Sequence, residues 1–81
     1  MRIHVRFFAL LRDQAGTSHA ELELPAGATV AAALETIAAR YAALSPLLRT
    51  AACAVNRSYA RADAVLNDGD EVALIPPVSG G

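Results

Sequence analysis

The sequence predicts an α+β fold, a mixed β-sheet with one main helix packed across a single face. Three observations carry that expectation. Residues 1–8 and 18–24 alternate apolar and polar side chains, the period of a half-buried strand. Val30, Leu34, Ile37, Tyr41 and Leu44 recur at helical spacing, with Ala33 and Ala38 alongside. A final run, Glu71-Val-Ala-Leu-Ile75, is apolar enough to lie at the centre of a sheet.

Each element follows from local chemistry. In residues 1–8, Ile3, Val5 and Phe7 share one face, and Arg2, His4, Arg6 and Phe8 share the other. Residues 9–16 read as a short connection that ends in a turn glycine. Ala20, Leu22 and Leu24 point inward from the second strand, and Glu21 and Glu23 point outward. Pro25-Ala-Gly-Ala28 breaks that strand, and Thr29 is placed to cap the helix through its hydroxyl. Ala32 stands where a capping box needs Glu or Gln, so the box is absent. Ser45-Pro46 is expected to end the helix, because the residue before proline is pushed out of the helical region. Leu47 and Leu48 then plug the core from an irregular turn.

Residues 52–55 read as a short strand, and Asn56-Arg57-Ser58 as a tight turn into a brief strand at Tyr59. Val65 and Leu66 are expected inward from the connection at 61–66. Asn67-Asp68-Gly69-Asp70 reads as a turn in which Gly69 is free to take positive φ. Val72 and Leu74 face inward from the last strand. The predicted order is β-β-α-β-β-β, with the first and last strands adjacent and parallel at the sheet centre. That is a β-grasp, ubiquitin-like roll over residues 1–75, followed by a tail at 76–81.

Composition limits what the fold can hold. The chain has 81 residues, 54% of them hydrophobic, and 19 are Ala. Ten Leu, six Val, three Ile, two Phe and two Tyr supply one small core and leave no room for an extensive internal cavity. A net charge of −1 gives no bulk field for nucleic acid or a membrane surface. All seven basic residues are Arg, so no side-chain amine is available for an isopeptide bond. A single cysteine, Cys53, excludes an internal disulfide. The start at Met1 has no signal-peptide pattern, and the longest apolar run, 51–55, cannot span a bilayer. A soluble, cytoplasmic protein is expected.

The body of the chain offers no nucleophile-plus-base arrangement. His4 and His19 lie in different strands without ligand spacing and read as solvated. Cys53 reads as a small buried hydrophobe, and four-cysteine iron–sulfur ligation is excluded. Asp68-Gly69-Asp70 lacks the remaining ligands of a calcium loop. Chemistry is therefore expected at the tail. Residues 76–81 reach at most about 20 Å when extended. Pro76 and Pro77 stiffen its root toward polyproline II. Gly80 and Gly81 pass where a Cβ would clash, and the last main-chain carboxylate sits at the tip. The bland alternative is a frayed terminus that ends in glycine. Phe8, Ala73 and Ile75 fall on the outer face beside the tail root, where they form an exposed apolar patch. A register slip of one residue would instead put them inside.

The run Val5-Arg-Phe-Phe-Ala-Leu-Leu-Arg-Asp-Gln-Ala-Gly16, the segment Ala54-Val-Asn56 and the ending Leu66-Asn-Asp-Gly-Asp-Glu-Val-Ala-Leu-Ile-Pro-Pro-Val-Ser-Gly-Gly81 resemble the small subunits of molybdopterin synthase, ubiquitin-like sulfur carriers. The resemblance covers essentially the whole chain. It implies that a ubiquitin-activating-like adenylating enzyme uses ATP to activate the Gly81 carboxylate. A persulfide donor then converts it to a thiocarboxylate. The loaded tail gives its sulfur to cyclic pyranopterin monophosphate inside the large synthase subunit, in a heterotetramer. The resemblance also implies that this chain is the sulfur-carrying part of a sulfurtransferase, binds no cofactor or metal, and has no catalytic activity alone.

Residue roles follow from it. Gly81 is the modified residue and Gly80 gives clearance. Pro76, Pro77, Val78 and Ser79 set the exit and contact the partner. Phe8 and Ile75, by the outward alternation of their strands, are expected to form the body of the interface. Rival functions are a carrier for thiamine thiazole synthesis, a ubiquitin-like protein modifier, and an interaction module with an inert tail.

Overall fold

A computed structural model of the chain describes residues 1–77. The elements are β1 (Arg2–Phe7), α1 (Ala9–Ala15), β2 (His19–Glu23), α2 (Val30–Arg40), a 3₁₀ turn (Ala42–Leu44), α3 (Ser45–Leu48), β3 (Ala52–Val55), β4 (Ser58–Tyr59) and β5 (Glu71–Ile75). One five-stranded sheet has the order β2-β1-β5-β3-β4. β1 and β5 run parallel near its middle, and every other neighbouring pair is antiparallel. The expected five strands and the central parallel pair are both present.

The core lies on one side of the sheet. Ile3, Val5 and Phe7 of β1, Leu22 of β2 and Val72 and Leu74 of β5 point into it. From the helical layer come Leu11, Val30, Ala33, Ile37 and Leu44. Each of the larger side chains contributes about 1.5–3 kcal/mol by leaving water. Phe7 and Tyr41 meet edge to face with centroids 5.4 Å apart, the geometry that ring quadrupoles favour. Thr29 caps α2 as expected, its Oγ1 accepting from the Ala32 amide at 3.3 Å. Thr29→Ala should therefore cost about 1 kcal/mol. Thermal unfolding followed by circular dichroism should show the midpoint drop by roughly 4–8 °C.

Three expectations are corrected. Residues 9–15 are helical rather than a bare connection, with Leu11 buried and Gly16 closing the helix at φ 76. The segment is only two turns long and turns a single large side chain fully inward, too little periodicity to register in the sequence. Second, α2 stops at Arg40, before Ser45-Pro46. Tyr41 leaves the helical region at φ −123 and ψ 77, while its ring packs on Phe7. Pro46 then sits in the first turn of α3, where its missing N–H costs nothing. Third, Val65 is 61% exposed while Leu66 is buried. The Val65–Thr29 bridge turns Val65 away from the core.

The β3–β4 turn is strained. Asn56 and Arg57 both take positive φ, 49° and 71°. This is the left-handed pair that a two-residue hairpin turn demands, for which Asn-Gly is the usual sequence. Arg stands where glycine would be unstrained, at a cost of roughly 1–2 kcal/mol. The Asn56 side chain offsets that cost. Its Nδ2 donates to Asp70 Oδ1 at 2.9 Å, and its Oδ1 accepts from the Glu71 amide at 3.0 Å. The Asn56 amide also donates to the Glu71 carbonyl at 2.8 Å. The turn is thereby tied to the start of β5.

Candidate functional site

The helices cover one face of the sheet, and the other face is open. Register places Arg6 of β1, Ala73 of β5, Ala54 of β3 and Tyr59 of β4 in one row across four strands. Two alanines in the middle of that row, between larger side chains, make a trough. It is a groove of about 280 Å³, and Phe8, Arg57, Glu71 and Ile75 complete its lining.

Phe8 stands at the end of β1, on the face opposite Phe7. The chain turns sharply just beyond it, with Ala9 at φ 50, so the ring stays at the rim, 38% exposed. The Arg6 guanidinium lies 5.4 Å from its centroid, within cation–π range. Ile75 is half-buried on the same side of the groove. Because β1 and β5 are parallel, β5 emerges beside Phe8. Pro76, half-buried, and Pro77, exposed, continue from that point. The predicted site residues Phe8, Ile75, Pro76 and Pro77 are thus brought together. Val78, Ser79, Gly80 and Gly81 lie outside the described residues.

One expected member of the patch is corrected. Ala73 is on the open face but only 8% exposed; it is the floor of the groove, shaded by its neighbours. Two members were missed. Tyr59 is 79% exposed and opposes Ala54 in the ladder. Arg57 lies at the adjoining turn. Alternation along Ala54-Val55 and Ser58-Tyr59 carries a signal for Tyr59, but a two-residue strand is too short to establish a face from sequence alone.

The remaining candidates have structural roles. His4 Nδ1 lies 3.3 Å from Glu21 Oε1, and Arg2 Nε lies 3.0 Å from Glu23 Oε1. Both are directly opposed cross-strand pairs on the wet side of the β1–β2 ladder. Cys53 is buried, and desolvation pushes its thiol pKa up, so it is a poor nucleophile. Among the described residues no group of three or more His, Cys, Asp or Glu side chains could hold a metal ion. Nor is any helix among them long and apolar enough to cross a membrane.

The ThiS family model matches residues 5–81. The chain belongs to the ThiS family. It is 42% identical to the molybdopterin synthase sulfur carrier subunit of Chlamydomonas reinhardtii, over the full length of both chains. Its structure superposes on SAMP1 from Haloferax volcanii with a TM-score of 0.91, at 29% identity and with both chains fully covered. It superposes with a TM-score of 0.72, at 27% identity and with both chains fully covered, on a chain of the complex of subunits 1 and 2 of the molybdopterin-converting factor from Helicobacter pylori. The expected β-grasp fold and the resemblance to molybdopterin synthase small subunits both stand.

Proposed function

We propose that this chain is the sulfur carrier subunit of a molybdopterin synthase. The observation that carries the proposal is the end-to-end similarity, at 42% identity, to a molybdopterin synthase sulfur carrier subunit. The groove at the foot of residues 76–81 supports it, because it supplies an apolar seat for a partner where the chain leaves the sheet.

The chemistry begins at the Gly81 carboxylate. A carboxylate is a poor acyl donor, since its leaving group would be oxide. An adenylating partner joins it to AMP from ATP and releases pyrophosphate. A persulfide sulfur from a donor then attacks the acyl carbon, and AMP leaves. A second thiol cleaves the sulfur–sulfur bond, leaving a thiocarboxylate on the chain and a disulfide on the donor side. The soft, anionic sulfur is then delivered to cyclic pyranopterin monophosphate in the large subunit. Pro76, Pro77, Val78 and Ser79 set the exit and contact the partner, and Gly80 gives clearance. Phe8 and Ile75 seat the large subunit. The sulfur enters from outside, since the chain's own thiol is buried and its pKa raised. The adenylating enzyme supplies the ATP site, and the reaction runs in the cytoplasm.

Incubation with adenylating enzyme, ATP and a sulfur source should raise the intact mass by the difference between sulfur and oxygen. The similarity to the small archaeal modifier protein 1 of Haloferax volcanii favours one second reading, a protein modifier. A modifier would instead appear as larger covalent adducts through target amines. A mass unchanged under all conditions would remove the carrier proposal.

A further inference from the structure

Arg57 is not accounted for by the fold. It holds a left-handed backbone, φ 71, in a position where glycine would be unstrained. The side chain of Asn56 pins that turn to Asp70 and Glu71. The result is a turn that holds the exposed Arg57 on the lining of the open-face groove, which it shares with Tyr59 and Phe8. Strain held in place by surrounding hydrogen bonds is a signature of a functional position.

The groove lining carries two guanidiniums, Arg6 and Arg57, and one carboxylate, Glu71. Arg6 lies 4.0 Å from Glu71 and stacks on Phe8. Among the described residues no carboxylate lies within 4.0 Å of Arg57. A partner that covers the groove must desolvate this cation. An unpaired buried charge is costly, whereas a partner carboxylate placed over it restores the balance.

We propose that Arg57 is a specificity-determining docking residue, pairing with a carboxylate of the large synthase subunit when that subunit covers the groove. The inference rests on the sulfur-carrier function above and names the chemistry of the contact. Apolar contacts at Phe8 and Ile75 hold the complex, and the rim cation selects an acidic partner and speeds encounter.

The test is binding of the full chain to the large subunit across a salt series, with three variants and their melting temperatures. Arg57→Gly keeps the turn and relaxes it, so it should be at least as thermally stable as the native chain. It should bind about two- to fivefold more weakly at low salt, with a shallower salt dependence. Arg57→Glu should bind about tenfold more weakly or worse, through a slower association rate. Arg57→Lys should keep the native salt dependence, which a purely structural role for the turn would not require. Native affinity and salt dependence in Arg57→Gly, in a preparation where the native chain binds, would overturn this inference alone. Tighter binding by Arg57→Glu would also overturn it. Failure of the native chain to bind the large subunit at all would remove the sulfur-carrier function and this inference with it.

Discussion

Removal of Gly81 is expected to abolish sulfur transfer while leaving the folded domain unchanged. The proposed chemistry needs a main-chain carboxylate at one fixed distance from the docking groove. Deleting one residue draws it back by about 3.3–3.6 Å, and productive geometry in an active site tolerates far less: a displacement of 1 Å can cost on the order of 100-fold in rate. Adding one residue after Gly81 has a comparable effect, since the carboxylate is then carried past the reacting position on a side-chain-bearing residue. Neither change touches the core, whose described members run from Ile3 to Leu74. Melting temperatures should therefore agree with the native chain within about 2 °C, well inside the shift that 1 kcal/mol would produce. Molybdopterin formation by the reconstituted synthase, read beside intact mass, checks the outcome. A truncated chain that still supported product formation would show that the reacting group lies elsewhere.

The strands were legible because burial on one side writes a period of two directly into the residues, as in Ile3, Val5 and Phe7 against Arg2, His4 and Arg6. The capping hydroxyl of Thr29 was legible for the same kind of reason: one side chain, one unmet amide. What stayed hidden depended on contacts between distant segments. Tyr41 ends α2 where its ring packs on Phe7, more than thirty positions earlier, so Pro46 misled as a terminator. α1 has one fully buried large residue, Leu11, and one residue has no period. Of the candidate site, Phe8 and Ile75 followed from alternation. The alanine floor did not, because the depth of a groove depends on which side chains stand beside Ala54 and Ala73 across three ladders. Arg57 was hidden for another reason: a tight turn is readable from Asn-Arg-Ser, but its left-handed backbone is tied down by hydrogen bonds between Asn56 and the distant Asp70 and Glu71.

Phe8→Glu is expected to destroy binding to the large subunit and spare the fold. The two neighbouring phenylalanines make the comparison sharp. Phe7 is in the core at 2% exposure, and Phe8 is on the opposite face of the sheet. At position 8 a carboxylate remains in water in the free chain and can approach Arg6, so little stability is lost. Once a partner covers the groove, that carboxylate is stripped of water beside the apolar Ile75. The aromatic area that filled the interface is gone as well. A loss of about 3 kcal/mol, in the range of an interface hot spot, weakens binding by more than about 100-fold. Phe7→Glu puts the same charge into the core and should leave no cooperative thermal transition. Calorimetric titration and thermal denaturation separate the two effects. Should Phe8→Glu lower the melting temperature by more than about 10 °C, a shift that corresponds to over 1 kcal/mol in a domain of this size, Phe8 would be a core residue and the groove would lose its anchor.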